Sequence, residues 1–189
     1  APPSPVFPTT GGVDYLGGTL ATVNINLFPA YGGINLTMCA SGPTAINRAN
    51  PSGPTPADSM LTEIAILEMT GLLPPPLPND TFRIRHVTDR RSYGQIQGNA
   101  FPAVSFFDVY YELDVMGKTF VNYTATHMGA AGGINTIPPG GQNYLGFNTY
   151  LVNKNDPTDT LGLIKSVNHC LGGGTAGAQR CECPSKQPP

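Results

Sequence analysis

Between Val104 and Met128 the chain reads VSFFDVYYELDVMGKTFVNYTATHM. Apolar side chains recur there at every second residue on both sides of a Met-Gly-Lys turn. Successive side chains of a strand point to opposite faces, so a run with this period suits two half-buried β-strands. A helix would scatter the same residues around its whole circumference. The segment therefore commits its surroundings to a sheet with one dry face.

The turn decides which residues share that face. A two-residue loop, Gly117-Lys118, pairs Asp108 with His127, which resembles a base and its orienting carboxylate. A three-residue loop, Met116-Gly117-Lys118, pairs Leu113 with Val121, Tyr111 with Tyr123, Val109 with Ala125 and Phe107 with His127. It gathers Asp108, Glu112, Asp114, Asn122, Thr124 and Thr126 on the opposite face. A one-residue slip moves every side chain to the other face, so the register that keeps one face apolar is the expected one. It parts Asp108 from His127, turns His127 towards the core and leaves Asn122 in solvent.

Similar alternation marks other segments. In TLATVNINL (19–27), Ala21, Val23, Ile25 and Leu27 point one way, and after PAYGG the residues Ile34, Leu36 and Met38 repeat the pattern as a hairpin partner. Residues 40–57 read as a polar loop. LTEIAILEMTG has partial helical spacing, but its Ile64 and Ile66 and the series Ala65, Leu67, Met69 favour a strand. LLPPPLPND reads as a rigid connector, FRIRHV as a short strand, and 129–146 as a long irregular loop of the kind that is usually functional or mobile. Tyr144–Val152 and Leu161–His169 read as strands around NKNDPTDT. The expectation is an all-β domain over 19–169, an antiparallel β-sandwich of about 7–9 strands with a barrel as the alternative. Residues 1–18 are expected to be an extended Pro/Gly-rich segment, and 170–189 a Gly/Cys-rich tail.

Four cysteines, Cys39, Cys170, Cys181 and Cys183, fit an oxidising compartment and two disulfides. Bridging Cys181 to Cys183 would strain so short a loop, so each is expected to bond elsewhere. Cys39 is expected to take one of them and Cys170 the other, stapling the tail to the domain. The chain begins APPSP without Met, which suggests processing or trimming; if processed, a signal peptide would already be gone. With the cysteines, low charge and many turns, the expected setting is secreted, at the cell surface. Ten basic and 12 acidic residues in 189 leave a net charge of −2, without the positive field that nucleic acid requires. No stretch approaches the ~20 apolar residues of a membrane-spanning helix.

The runs SFFDVYYELDV, INTIPP and LIKSVNH, within residues 60–169, resemble uncharacterised secreted β-rich proteins of planctomycete-type environmental bacteria. The resemblance implies an extracellular setting and brings no activity or catalytic residue with it.

No catalytic or metal constellation stands out, and no cofactor is expected. His86, His127 and His169 are spaced without a metal signature. There is no G-x-S-x-G, and Glu63, Glu68, Asp108, Glu112 and Asp114 read as solvated strand faces rather than a glycosidase pair. NDPTD (155–159) reads as an Asx-Pro turn more than a calcium loop. Asn35, Asn79 and Asn122 begin N-x-[ST] triplets and are candidate glycosylation acceptors. The expected function is non-enzymatic. It is a secreted structural subunit of a filament, surface layer or matrix that joins copies of itself or other surface proteins. Low charge limits self-repulsion, and Ala21, Val23, Ile25 and Leu27 mark a strand that could add to a neighbour's sheet. The alternative is a carbohydrate-binding or adhesion module with Tyr93, Tyr144, Phe147 and Tyr150 as aromatic platforms for glycans.

Overall fold

Alternating sequence becomes strand throughout the computed structural model, which describes residues 6–52, 59–98, 100–172 and 183. Among these, eleven strands form one antiparallel sheet: β1 Gly12–Leu27, β2 Asn35–Arg48, β3 Ser59–Leu72, β4 Thr81–His86, β5 Tyr93–Gln97, β6 Val104–Val109, β7 Tyr111–Val115, β8 Lys118–Val121, β9 Thr126–Ala130, β10 Asn143–Asn153 and β11 Asp156–Cys170. Most strands pair with a neighbour in sequence, but β4 with β5, β6 with β7 and β8 with β9 do not, and β11 pairs with both β10 and β1. The sheet thus curls round into a partial ring with opposed walls facing each other across one core. The expected antiparallel all-β class holds, but one continuous sheet takes the place of the two separate sheets of the sandwich expected first. The strand count exceeds the expected 7–9, partly because three long strands are each broken in two.

Those breaks divide one wall. The Glu68–Leu72 half of β3 pairs with β4, and its Ser59–Glu63 half pairs with β5. Across the gap, β10 meets β8 through Val152 and Asn153 but β9 through Tyr144 and Leu145. Two half-walls result, β4-β7-β8 and β5-β6-β9. Backbone groups at such a break need new partners, and two polar side chains supply them. Asn122 accepts from the Tyr111 amide (2.9 Å) and donates to the Val109 carbonyl (2.8 Å). Ser92 Oγ accepts from the Tyr110 amide (2.8 Å) and donates to its carbonyl (3.2 Å). Both side chains are buried.

This break overturns the expected hairpin register. Met116 and Gly117 both have positive φ, 50° and 72°, the combination whose twist suits a two-residue hairpin loop. Leu113 therefore faces Phe120, not Val121, and Phe120 is fully buried. Beyond the break, the longer 122–125 connection lets Asp108 face His127 and Phe107 face Met128. Met128 thus takes the core position expected of His127, which lies outside. Asn122, expected in solvent, has no exposed surface.

Other boundaries move as well. β1 begins at Gly12, inside the segment expected to lack a sheet, and β2 runs through residues 40–48 of the expected loop. Residues 61–70 are strand, as the β-branched pattern favoured. YGQIQ, not singled out in the sequence, forms β5. The stretch 19–27 is not a spare edge: β2 holds one side and β11 the other, so Ala21, Val23, Ile25 and Leu27 line the interior.

The core fills the ring. One end is closed by Tyr31 packed edge-on against Phe120 (5.7 Å), the other by Phe7 against Phe101 (5.3 Å) and by Ile134, which bridges to Ala103 from the long 129–146 segment. Burying an aromatic of this size stabilises the fold by about 2–3 kcal/mol. Cys39 on β2 is disulfide-bonded to Cys183, which fastens the tail to the barrel wall. Cys170 is also in a disulfide, whereas Cys181 lies outside the described residues.

Candidate functional site in the barrel lumen

Inward-facing residues meet around a small cavity of about 40 Å³. Its wall is aliphatic and thioether, with Val23, Leu67, Met69, Val109 and Met128 among the contributors, and only Tyr111 and His169 bring polar atoms. A second cavity of about 10 Å³ lies beside it and shares Ile64, Val109, Met128 and His169 with the first. Thr44 and Tyr144 line this second space. Neither lining includes a charged side chain.

The fold places both polar residues. His169 is near the end of β11, cross-strand from Ala21 on one side and Tyr144 on the other. Tyr111 opens β7 immediately after the wall divides, and the Asn122 side chain holds its amide. Sequence parity puts both inward, since Val167 and Leu113, two positions away, are core residues.

Hydroxyl groups support His169. Thr19 Oγ1 donates to the Gly42 carbonyl at 2.7 Å and lies 2.8 Å from Thr44 Oγ1, which in turn is 3.3 Å from His169 Nε2. Burial disfavours the imidazolium and lowers the His169 pKa to about 4, so the ring is neutral at pH 7. Burial likewise pushes the Tyr111 phenol above its ordinary value, opposed by the neighbouring Thr126 hydroxyl, whose contact with the Tyr111 hydroxyl falls outside ordinary hydrogen-bond geometry. Tyr144 is pushed up to about 12 by burial despite the 2.8 Å bond between its hydroxyl and Ser105. Buried hydroxyls without a well-formed hydrogen bond are uncommon, because each forfeits its bond to water.

Outside the barrel, the expected absence of an Asp–His pair is corrected. His127 Nδ1 lies 2.8 Å from Asp108 Oδ1, and the His127 ring packs beside Phe106 at 5.2 Å. The side chains are 65% and 51% exposed, and among the described residues no serine, threonine or cysteine bonds to the imidazole. The pair therefore lacks the nucleophile that would make it a catalytic triad.

The remaining sequence candidates disperse. His86, His127 and His169 do not converge, and no group of three metal-binding side chains occurs among the described residues. Asp156 Oδ1 accepts from the Thr158 amide and hydroxyl, an Asx turn, while Asp159 joins Tyr31, Lys118 and Asn153 at the barrel end. Those donors lower the Asp159 pKa to about 2, the Asn153 amide first among them. Asn35 and Asn79 are exposed, but Asn122 is inaccessible to any glycan. Of the four candidate platform aromatics, Tyr144 is buried and Tyr150 packs edge-on against Phe28, leaving Tyr93 and Phe147 open. Sequence reading missed Tyr111 and His169 as a pair because they are 58 positions apart, and only ring closure brings them to one cavity.

No helix among the described residues is long and apolar enough to cross a membrane. No protein-family model and no curated protein matches the chain. Among solved structures, DynF from the dynemicin biosynthesis pathway of Micromonospora chersina is similar in fold. It has a TM-score of 0.75 and 20% sequence identity over 92% of this chain and 85% of that one.

Proposed function

We propose that this protein binds a small, uncharged, largely apolar molecule inside its barrel. The observation that carries this reading is the charge-free, mainly aliphatic cavity whose only polar lining residues are neutral His169 and Tyr111, the latter with a hydroxyl lacking a well-formed hydrogen bond. Binding sites of this kind combine an apolar wall with a few placed polar groups. The cavity is small, but its wall is adaptable. Met69 and Met128 are unbranched thioethers that fill irregular space and re-pack at little cost, and Met128 lines both cavities. Low charge throughout the chain suits such a ligand, and the absence of charged groups in the lining favours binding over acid–base catalysis.

DynF belongs to a biosynthesis pathway, which agrees with small-molecule handling without carrying the argument. Assembly into a filament or matrix through strand edges has less support, because ring closure covers both sides of 19–27. Among the described residues, positions 12–16 and Thr19 are the part of β1 that lies beyond the β11 ladder and pairs with β2 alone. The disulfide fits an oxidising, extracellular compartment, where Asn35 and Asn79 are open to glycosylation; intact-mass measurement reads their occupancy.

Titration with p-xylene and p-cresol, followed through the methyl resonances of ¹³C-labelled methionine, tests the reading. Met69 and Met128 should shift in a saturable manner. Ala21→Leu, which fills the cavity from its wall, should abolish the shifts while circular dichroism stays unchanged. Absence of any saturable shift in the wild-type chain would remove the lumen as a binding site.

A further inference from the structure

The hydroxyl relay behind His169 determines which of its nitrogens carries the proton. A carbonyl can only accept, so the Thr19 hydroxyl uses its hydrogen on Gly42. The 2.8 Å contact between Thr19 and Thr44 must then be donated by Thr44. With its own hydrogen spent, Thr44 can only accept at the 3.3 Å contact with His169 Nε2. His169 is therefore the Nε2–H tautomer, and its Nδ1 is an acceptor. No hydrogen bond to a described residue occupies Nδ1, nor is that nitrogen among the fully buried orphans. Tyr111 lines the same cavity, and its buried hydroxyl, next to Thr126, makes no hydrogen bond of ordinary geometry.

The lumen thus offers one donor and one acceptor on an otherwise aliphatic wall. Resting on the reading of the lumen as a binding site, we infer that its ligand is a neutral hydroxy-carbonyl compound that donates its hydroxyl to His169 Nδ1 and accepts from the Tyr111 hydroxyl at its carbonyl. An anion is disfavoured, because no cation lines the space, and a cation equally so. A pure hydrocarbon would leave both protein groups unpaired, and a site built to hydrogen-bond rejects the analogue lacking the bonding group. His169 stays uncharged above about pH 4, so its acceptor role persists at neutral pH.

Four para-substituted benzenes of similar size separate the possibilities: 4-hydroxybenzaldehyde carries both groups, p-cresol the donor, p-tolualdehyde the acceptor and p-xylene neither. The expected order of affinity is 4-hydroxybenzaldehyde first, the two single-function compounds next and p-xylene last, each hydrogen bond contributing roughly tenfold. Tyr111→Phe should weaken the two aldehydes roughly tenfold and leave p-cresol unchanged, whereas His169→Leu should weaken the two phenols and leave p-tolualdehyde unchanged. Nitrogen-15 NMR of the imidazole gives a readout that needs no ligand, with Nε2 protonated and Nδ1 bare. A protonated Nδ1, or four equal affinities insensitive to both substitutions, would overturn the donor–acceptor assignment and leave the binding site standing. Failure of all four to bind would overturn the binding site and this assignment together.

Discussion

The two half-walls share a strand direction and a core, yet they treat their outer faces differently. On β4-β7-β8 the outward residues form a charge ladder. Arg83 pairs with Glu68 (2.7 Å), Arg85 bonds both Asp114 (2.9 Å) and Glu112, and Lys154 reaches Glu112 from the β10–β11 turn (2.6 Å). Glu112 is only 3% exposed, because its two cations cover it. On β5-β6-β9 and its borders the outward rows are Tyr93, Asp108 and His127, then Leu61, Gln95, Phe106 and Gly129. Leu61, Tyr93 and the nearby Val104 are all more than half exposed. Opposite charges set across neighbouring strands stabilise one half-wall through its surface. The other relies almost wholly on its inward face, where Phe107, Val109 and Met128 are buried. A half-wall can thus be held from outside or from inside, and the join between them is held by Asn122 and Ser92.

The join should be the most sensitive point. Asn122→Ala leaves the Tyr111 amide and the Val109 carbonyl buried without partners, and urea denaturation should show a loss of about 4 kcal/mol. Ser92→Ala, on the other flank, should cost clearly less, because Tyr110 is only part-buried. A loss confined to a few tenths of a kcal/mol at Asn122 would mean that the half-walls are not stitched by side chains.

The interior behind both half-walls responds to acid. The folded His169 pKa, about 4, lies below the unfolded value near 6.5. The unfolded chain therefore takes up the proton first as pH falls, so this contribution is fully present above pH 6.5, declines through the window and is lost by about pH 4. The difference amounts to about 3 kcal/mol. His169→Leu should flatten that part of the pH–stability curve; an unchanged curve would place the proton elsewhere.

Charge removal then compares the two outer faces directly. Glu112→Gln strips both Arg85 and Lys154 of a buried partner and should cost about 2 kcal/mol, softened because Arg85 keeps Asp114. Asp108→Asn removes the only carboxylate facing His127 on the other half-wall and should cost less than about 0.5 kcal/mol, since an exposed pair is well screened. Equal costs from the two substitutions, measured by thermal unfolding, would erase the distinction between the faces.

Much of this architecture is legible in the chain. Alternation identifies the strands at 19–27, 61–70, 81–86 and 104–128, because a period of two is a local property of a pleated backbone. The register of the central hairpin is not legible from face polarity alone. Asn122 looks like a surface residue, but it replaces missing ladder bonds inside the wall, so counting it as polar and exposed shifts the pairing by one. β5 is short, and Tyr, Gly and Gln there give too weak an alternation to stand out. The long segment after Ala130 reads as irregular, and its one core residue, Ile134, is recognisable only once Ala103 is seen opposite it.

Local pattern and composition by themselves determined that this protein is an antiparallel all-β domain with low charge and a disulfide-tethered tail. The tertiary structure alone decided that the sheet closes, that one wall divides, and that Tyr111 and His169 meet across the lumen. The physical reason is one of range. Strand period and turn preference act over a few residues, whereas closure depends on β1 finding β11 across the length of the domain, and the chemistry of the lumen exists only after that pairing is made.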